Sequence, residues 1–224
     1  MAGDLLYSEH FGKYKDGSGV AGGWWVEGGE RVWIDGGRLR VKANPAKQEG
    51  SDHVCTVWNK RAFSGDLEVS FRTCVLDSTI KANNINFFLC FSEPEGGDLY
   101  ESRGLRQDGA YSHYHGLNGY IFTFLNDRHG ESTEDGARCK PARFRIRRCP
   151  GFHLLTEVYD YHCRKGVIYD VRIIKRGGEI SFAVDGKVYL ETADPDPWEG
   201  GWIGLRTFQT DLWWDEIRIS RPDA

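Results

Sequence analysis

The sequence has no long apolar run and no basic excess, and these two absences exclude several classes of protein. A helix that crosses a bilayer needs about 20 consecutive apolar residues, and no stretch of the chain meets that length. Lys and Arg together number 29 against 33 Asp and Glu, which gives a net charge of −4. Because such a chain cannot neutralise many phosphates, we expect neither a membrane nor a nucleic acid as its main partner.

The first residues also lack the apolar segment of a secretory signal peptide. We therefore expect a cytoplasmic protein, with secretion as the alternative if a leader has been removed. None of the six cysteines forms the closely spaced pair that is typical of a zinc site. Cys55, Cys74 and Cys90 lie in strand-like segments, where a free cysteine packs as a small hydrophobic residue. We predict reduced thiols and no cofactor or metal site, with a structural calcium ion left open.

Helical periodicity is absent as well, and the composition favours strands. The chain has 28 glycines, one methionine and 13% aromatic residues. Short segments alternate between apolar and polar residues, and turn residues separate them, with hairpins expected across Gly36-Gly37 and Asp185-Gly186. The pattern predicts an all-β protein, a β-sandwich or jelly roll, that forms a single domain over residues 1–224. The pattern predicts four separate strands at Asp66–Leu76, Asn84–Phe91, Trp202–Phe208 and Leu212–Ser220.

One stretch, Tyr111–Asn126, concentrates groups that bind sugars. Its second half alternates like a strand, with Tyr120, Phe122 and Phe124 on one face. Its first half holds imidazoles, phenols and an amide, which hydrogen-bond sugars and transfer protons near neutral pH. A sandwich leaves one sheet face concave and wet, and we expect the polar faces of several strands to form a site there with this stretch. The polar groups of the stretch are Tyr111, His113, Tyr114, His115 and Asn118.

Further candidates lie on other strands. Arg143, Arg145 and Arg147 alternate with apolar residues, so their guanidinium groups share one face. Simple alternation after the next turn also places His153 and Glu157 on a common face. The remaining candidate binding residues, two amides on one strand face and an indole suited to stacking on a sugar ring, are Asn84, Asn86 and Trp58.

The closing residues, from Val167 on, carry a resemblance to a known superfamily. The runs VIYDVRIIKRGGEISFAVDGKVYLE and GGWIGLRTFQTDLWWDEIRIS resemble the last strands of the concanavalin A-like lectin/glucanase superfamily. The resemblance implies a concanavalin A-like jelly-roll β-sandwich of two antiparallel sheets. It implies little about chemistry, because one fold hosts many functions.

A narrower resemblance is to the YesU-like family, a bacterial group within that superfamily. It is carried by the closing strands and by the segments YSHYHGLNGY (Tyr111–Tyr120) and RFRIRRCPGFHLL (Arg143–Leu155). Members often lie among carbohydrate-degradation genes, so the resemblance implies a saccharide ligand, and it supplies no established catalytic residues. The candidates that it implies for the site are His113, His115, Asn118, Arg147 and His153.

The residue types suit β-elimination from an acidic sugar. This reaction needs a base, an acid and a group that neutralises the enolate-like charge. Arginine also pairs bidentately with carboxylates, which favours an acidic oligosaccharide as the ligand. The candidates for base, acid and neutraliser are, in that order, His115 or His113, Tyr114 or Tyr120, and Arg145 or Arg147 with Asn118.

Two other functions stay open, a non-catalytic lectin-like protein and a glycoside hydrolase. The lectin would use the same arginines and aromatic rings without proton transfer. The hydrolase needs two carboxylates that flank the glycosidic bond, and no strand carries such a pair. The pair would come from Glu157 or from the long loop Ser92–His115, which we predict to be functional because loops of that length in compact domains are usually functional or disordered. The loop carboxylates are Glu93, Glu95, Asp98 and Glu101.

Overall fold

The computed structural model describes residues 3–20, 22–44, 51–125 and 143–223, which form antiparallel β-structure in two packed layers. The strands are β1 (Leu5–Glu9), β2 (Trp24–Gly28), β3 (Arg31–Asp35), β4 (Arg38–Ala43), β5 (Val54–Asn59), β6 (Phe63–Ser64), β7 (Leu67–Ser92), β8 (Asn118–Phe124), β9 (Phe144–Cys149), β10 (His153–Val158), β11 (Ile168–Arg176), β12 (Glu179–Val184), β13 (Lys187–Ala193) and β14 (Gly200–Ser220). Short 3-10 helices connect some of them, at Phe11–Lys13, Ser51–His53, Glu101–Arg106 and Tyr111–Tyr114.

Two long strands, β7 and β14, join the layers because each runs through both sheets. They pair with each other along nearly their whole lengths. The first part of β7 also pairs with β11, and its last part pairs with β8. We call the order β10-β9-β8-β7-β14-β5-β2 the front sheet. The back sheet has the order β13-β12-β11-β7-β14-β4-β3, with β1 also beside β14.

The four strands that the pattern separates are therefore two continuous strands. Polar residues interrupt the apolar alternation in the middle of β7 and of β14, but their backbones pair, as Asp77 does with Asp211 and Ser78 with Thr210. Backbone pairing does not require alternating side chains, so the strands continue where the pattern predicts an end. The two expected hairpins, β3 with β4 and β12 with β13, are confirmed.

The inner faces of the two sheets pack through aromatic rings. Phe71 and Phe87, from the two parts of β7, stack with centroids 5.4 Å apart. Phe182 of β12 lies 5.6 Å from the ring of Phe122 on β8. Burial of each such side chain stabilises the fold by about 1.5–3 kcal/mol, so these positions fix which face of each strand points inward. On the strands of the front sheet, the residues that alternate with these buried ones lie on the outer face.

The cysteines contribute to this packing as thiols. All five that the structure describes are free and buried: Cys55, Cys74, Cys90, Cys149 and Cys163. The expectation that the first three pack as small hydrophobic residues is confirmed, while Cys139 lies outside the described residues. No helix within the described ranges has both the length and the apolar character to cross a membrane.

Candidate functional site

The outer face of the front sheet carries a transverse row of polar side chains, which we call the polar row. Each member lies directly opposite the next on the neighbouring strand, so the row crosses the sheet from β2 to β10. With strands about 4.8 Å apart, its six intervals span roughly 29 Å. The members, in order, are Glu27, Thr56, Arg206, Asn86, Thr123, Arg145 and Glu157.

Next to the polar row lies an apolar patch that residues 93–117, the cover segment, bury. The patch includes Trp25 and Trp58 from the sheet, and the cover segment packs Leu99, Tyr114 and Leu117 against it. Trp58 is fully buried and stacks on Trp25 at 5.7 Å. The prediction that Trp58 binds a sugar ring is therefore wrong, because its faces contact protein.

A buried carboxylate attaches the cover segment to the sheet. Glu27, 1% exposed, accepts hydrogen bonds from Trp25 Nε1 at 3.0 Å, from Trp58 Nε1 at 2.8 Å and from the Tyr114 hydroxyl at 2.7 Å. It also pairs with Arg106, 3% exposed, whose Nε lies 3.3 Å away. Tyr114 therefore has a structural role: burial, with the Glu27 charge second, raises the pKa of its hydroxyl, and the predicted role as catalytic acid is wrong.

Tyr120 is a second correction. It lies on the inner face of β8, where it is fully buried, and its hydroxyl donates to Asp194 Oδ2 at 2.6 Å. Burial raises the pKa of this hydroxyl. The alternation of Tyr120 with Phe122 and Phe124 was predicted correctly, but that face points into the core and away from the polar groups of the outer face.

Three arginines form what we call the arginine face: Arg145 and Arg147 of β9, and Arg143, which directly precedes it. They alternate with the buried residues Phe144 and Ile146, as predicted. Glu157 of β10 accepts a hydrogen bond from Arg145 Nε at 3.2 Å and lies 4.0 Å from Arg143 Nε.

The arginine face holds buried N–H groups without partners. Nε and Nη1 of Arg143 and Nε of Arg147 have no hydrogen-bond partner among the described residues. Burial, with repulsion from Arg145 second, lowers the pKa of both Arg143 and Arg147. Because arginine titrates far above neutral pH, both stay charged, and the face holds positive charge that a ligand can neutralise.

His115 lies beside the arginine face. Its ring stacks on Phe152 at 4.3 Å and meets the Tyr111 ring edge-on at 4.8 Å. The Arg147 guanidinium lies 4.1 Å from the same Phe152 ring. The buried His115 Nε2 has no partner in the described part of the chain. Burial, followed by the charges of Arg206 and Arg147, lowers the pKa of His115, so the imidazole is neutral at pH 7.

Three other predicted site residues point elsewhere. His113 is exposed, and its Nε2 pairs with Asp108 at 2.8 Å, while the Asn118 amide donates to Ser92 Oγ at 3.2 Å. His153 lies opposite Arg148, on the other face of the hairpin from Arg147. A β-bulge between Leu154 and Thr156 breaks simple alternation, so the prediction that His153 shares a face with Glu157 is wrong.

The two predicted amides have different surroundings. Asn86 belongs to the polar row and accepts from the Thr123 hydroxyl at 2.9 Å. Asn84, fully buried, donates to Thr210 Oγ1 at 3.2 Å. Both therefore have protein partners, and only Asn86 lies within the row.

Two carboxylates of the cover segment are engaged in its own structure. Glu93 accepts from Arg106 Nη1 at 3.1 Å and also from the Ser102 hydroxyl, and Asp98 accepts from the backbone N–H of Tyr100 at 2.7 Å. Glu157 faces the arginines. Three of the five candidate carboxylates for hydrolysis are therefore already engaged by protein groups.

Arg206 is the central residue that sequence reasoning missed. It is 2% exposed, and its Nη1 donates to Thr56 Oγ1 at 2.7 Å and to the Gly109 carbonyl at 2.9 Å. Its guanidinium lies 4.7 Å from the Tyr111 ring centroid. The signal in the sequence that could identify it is its alternation with the buried Leu205.

A cavity of about 400 Å³, which we call the side cavity, lies beside Arg206 and Tyr111. His53, Asp108 and Phe208 also line it. Tyr111 therefore contacts both the side cavity and His115. The described residues contain no cluster of His, Cys, Asp and Glu suited to a metal ion.

A family model described as "Domain of unknown function (DUF6250)" matches residues 50–217. No curated protein matches the sequence. A Bacillus subtilis protein of unknown function with a galectin-like fold is structurally similar, with a TM-score of 0.77, 19% identity, and coverage of 99% of this chain and 97% of that chain.

Two more solved structures share the architecture at lower identity. The carbohydrate-binding module CBM66 from Bacillus subtilis has a TM-score of 0.56 and 10% identity over 92% of this chain and 99% of that chain. A β-1,3-glucanase from Mycobacterium marinum has a TM-score of 0.62 and 10% identity over 98% of this chain and all (100%) of that chain. These similarities confirm the predicted fold, a jelly-roll sandwich of the lectin and glucanase type.

Proposed function

This chain belongs to the DUF6250 family, and we propose that it is a carbohydrate-binding protein that holds an acidic oligosaccharide on the arginine face. The observation that carries the proposal is the set of buried N–H groups of Arg143 and Arg147 that have no partner among the described residues. An unmade hydrogen bond at a buried donor costs about 1–3 kcal/mol, so these groups favour a ligand that accepts from them.

The charge of the arginine face indicates the kind of ligand. Among the described residues, these three guanidinium groups face one carboxylate, that of Glu157, which leaves a local excess of positive charge. Arginine forks match the geometry of a carboxylate, and each charge-assisted pair is about twice as strong as a neutral hydrogen bond. A sugar acid supplies such a carboxylate, while its ring can pack near Tyr111 and Phe152, which are both partly exposed.

The comparisons support the saccharide part of the proposal. Structural neighbours include a carbohydrate-binding module and a β-1,3-glucanase. The resemblance to the YesU-like family, with its neighbouring carbohydrate-degradation genes, supports the same ligand class. A cytoplasmic location and reduced thiols belong to the same proposal, in which the protein acts on imported oligosaccharides.

A second candidate function is β-elimination at the same site, and the state of His115 favours it. Its imidazole is neutral at pH 7 and can accept the proton from the carbon next to the sugar carboxylate. The electron pair of that C–H bond forms a double bond in the ring as the glycosidic C–O bond breaks. Tyr111, which contacts His115 and whose hydroxyl pKa is raised by burial, donates the proton to the leaving oxygen, and Arg147 neutralises the carboxylate.

Calorimetric titration with an oligosaccharide of hexuronate units tests the binding function. We expect saturable binding to the wild type and loss of binding in the double variant Arg145→Gln/Arg147→Gln. Arg172→Gln is the control, because Arg172 pairs with Glu68 on the back sheet. Binding that survives the double variant contradicts the proposal.

Ultraviolet absorbance of the same mixtures tests elimination, since the product carries a conjugated double bond. The expected result is a rise that His115→Gln abolishes while binding persists. If the wild type binds the oligosaccharide saturably but does not shorten it, elimination is excluded and the non-catalytic, lectin-like function remains.

A further inference from the structure

We propose that the side cavity is a second subsite, which takes a neutral hexose unit, so that the ligand combines acidic and neutral sugars. This inference rests on the proposed function and adds the composition of the ligand. The cavity volume of about 400 Å³ lies within the range of roughly 300–1,000 Å³ that is usual for small-molecule sites. It lies on the same outer sheet face as the arginines, because Arg206 and Arg145 both belong to the polar row.

The charges around the side cavity are balanced, in contrast to the arginine face. Arg206 supplies one positive charge, and Asp108 supplies one negative charge. A hydrogen bond from the Ala110 backbone, with the nearby His113, lowers the pKa of the Asp108 carboxyl, so it is ionised at neutral pH. A second sugar carboxylate in the cavity would be repelled by Asp108. It would also lose its hydration, and the cavity has no excess positive charge to compensate for that loss. A neutral sugar ring does not carry this electrostatic cost.

The polar atoms of the cavity suit hydroxyl groups. His53 Nδ1 is buried and has no partner within the described ranges, and it can donate to or accept from a hydroxyl. The Asp108 side chain is 58% exposed; its Oδ1 already accepts from the Ala110 N–H and pairs with His113, and its Oδ2 is the acceptor that it offers to a ligand. Arg206 directs its Nη1 at Thr56 and Gly109, so that part of the guanidinium is already engaged by protein.

Aromatic rings supply the apolar part of the subsite. Phe208 packs edge-on against His53 at 5.3 Å, and Tyr111 also lines the cavity. An aromatic surface with a few placed polar groups is the usual composition of a small-molecule site. The C–H face of a hexose presents the matching apolar surface.

Tyr111 connects this subsite to the arginine face. Its ring lines the side cavity and also contacts Phe152 at 5.2 Å, beside Arg147. Three strand spacings of about 4.8 Å separate Arg206 from Arg145, which is roughly 14 Å between their backbones. That separation accommodates more than one sugar ring, so the two subsites would hold different units of one oligosaccharide.

The test compares two oligosaccharides of equal length by calorimetry, one of hexuronate units alone and one in which hexuronate alternates with a neutral hexose. We expect the alternating ligand to bind at least about tenfold more tightly. His53→Phe keeps an aromatic ring against Phe208 but removes both nitrogens. We expect this variant to lose the preference for the alternating ligand while its affinity for the hexuronate ligand is unchanged. A thermal unfolding curve like that of the wild type verifies that the variant is folded.

The outcomes separate this inference from the proposed function. Equal affinity for the two ligands, or a preference that survives His53→Phe, overturns the neutral subsite while acidic binding stands. Absence of binding to either ligand overturns the proposed function itself, and the subsite with it.

Discussion

Arg147 combines three features that make it the most informative single residue of the arginine face. It is half-buried, its Nε lacks a partner among the described residues, and Arg145 repels its charge. The protein therefore gains little from its charge when no ligand is bound. We predict that Arg147→Gln weakens binding of an acidic oligosaccharide by about 2 kcal/mol, roughly thirtyfold in Kd, as calorimetry would measure.

The same substitution should leave the free energy of unfolding nearly unchanged, because it removes a repelled charge together with a bond from Nη1 to the Phe152 carbonyl. Arg172→Gln, on the back sheet, should change Kd by less than twofold. A large loss of stability in Arg147→Gln without a change in affinity would assign Arg147 to the fold and not to the site.

His115 should report on the charge of the ligand. In the free protein its pKa lies below the ordinary value of about 6.5, so at pH 6.5 less than half of the imidazole is protonated. An anion on the arginine face offsets the field of Arg147, and we predict that it raises this pKa. NMR titration of the ring protons, with and without ligand, measures the shift, and a pKa that falls or stays constant on binding contradicts an anionic ligand at this place.

The lowered pKa of His115 also determines how its contribution to stability changes with pH. The folded pKa of His115 is lowered, so the unfolded state binds more protons as the pH falls through 6.5, and the contribution of His115 to stability decreases there.

At the residue scale, the sequence correctly predicts that Arg143, Arg145 and Arg147 share one face, because strand alternation alone decides this. It fails for Trp58, an outward-facing strand residue that the cover segment buries, and for Tyr114, which belongs to that segment and packs beneath it. Which part of a sheet face a distant loop covers depends on tertiary packing, and local pattern contains no information about that.

The cover segment is the element that defines the edge of the site. It is attached through Glu27 and Arg106, a nearly fully buried ion pair. Loss of one partner of such a pair typically costs about 3–5 kcal/mol, since the other charge stays buried. We predict a loss of this size in the free energy of unfolding for Glu27→Gln, as urea denaturation would measure.

Glu30→Gln is the matched control. Glu30 pairs with Lys42 at 3.0 Å at a partly exposed position, where an ion pair contributes about 1 kcal/mol or less. Hydrogen exchange should also become faster in residues 93–117 of the Glu27 variant. A change in Glu27→Gln as small as that in Glu30→Gln would show that the buried pair does not hold the segment.

The assignment of strands from the sequence is also limited, because the pattern contains only local information. The pattern identifies hairpins because turn residues and alternation are local, and it divides β7 and β14 where polar residues interrupt them. The bulge in β10 moves Glu157 onto the arginine face and His153 away from it. Bulges of this kind depend on pairing with the neighbouring strand, which one segment alone does not specify.

For the whole molecule, net charge and local charge have opposite signs. The chain carries a net charge of −4, while the arginine face is locally positive. Salt shortens the screening length from about 10 Å at 0.1 M to about 3 Å at 1 M. We predict that the affinity for an acidic oligosaccharide falls by at least about tenfold over this range.

A neutral oligosaccharide of the same length serves as the comparison, since its affinity should change little with salt. Calorimetry at several salt concentrations gives both slopes. Equal slopes for the two ligands would indicate that charge does not contribute to recognition.

The all-β fold is the property that the sequence predicts best, because it depends on many alternating segments that agree with one another. The candidate site was predicted in part: the arginines, His115 and Tyr111 come together. Arg206 and the side cavity arise only when β14, β5 and residues 108–111 meet in space.

The most direct test of the central claim removes the charge from the ligand and leaves the protein unchanged. Calorimetry would compare a hexuronate oligosaccharide with the same molecule after reduction of its carboxyl groups to primary alcohols. We predict that the wild type binds the acidic form at least about tenfold more tightly, which corresponds to about 1.4 kcal/mol, and that Arg145→Gln/Arg147→Gln removes the difference. Equal affinity of the wild type for the two forms would contradict recognition of an acidic sugar by the arginine face.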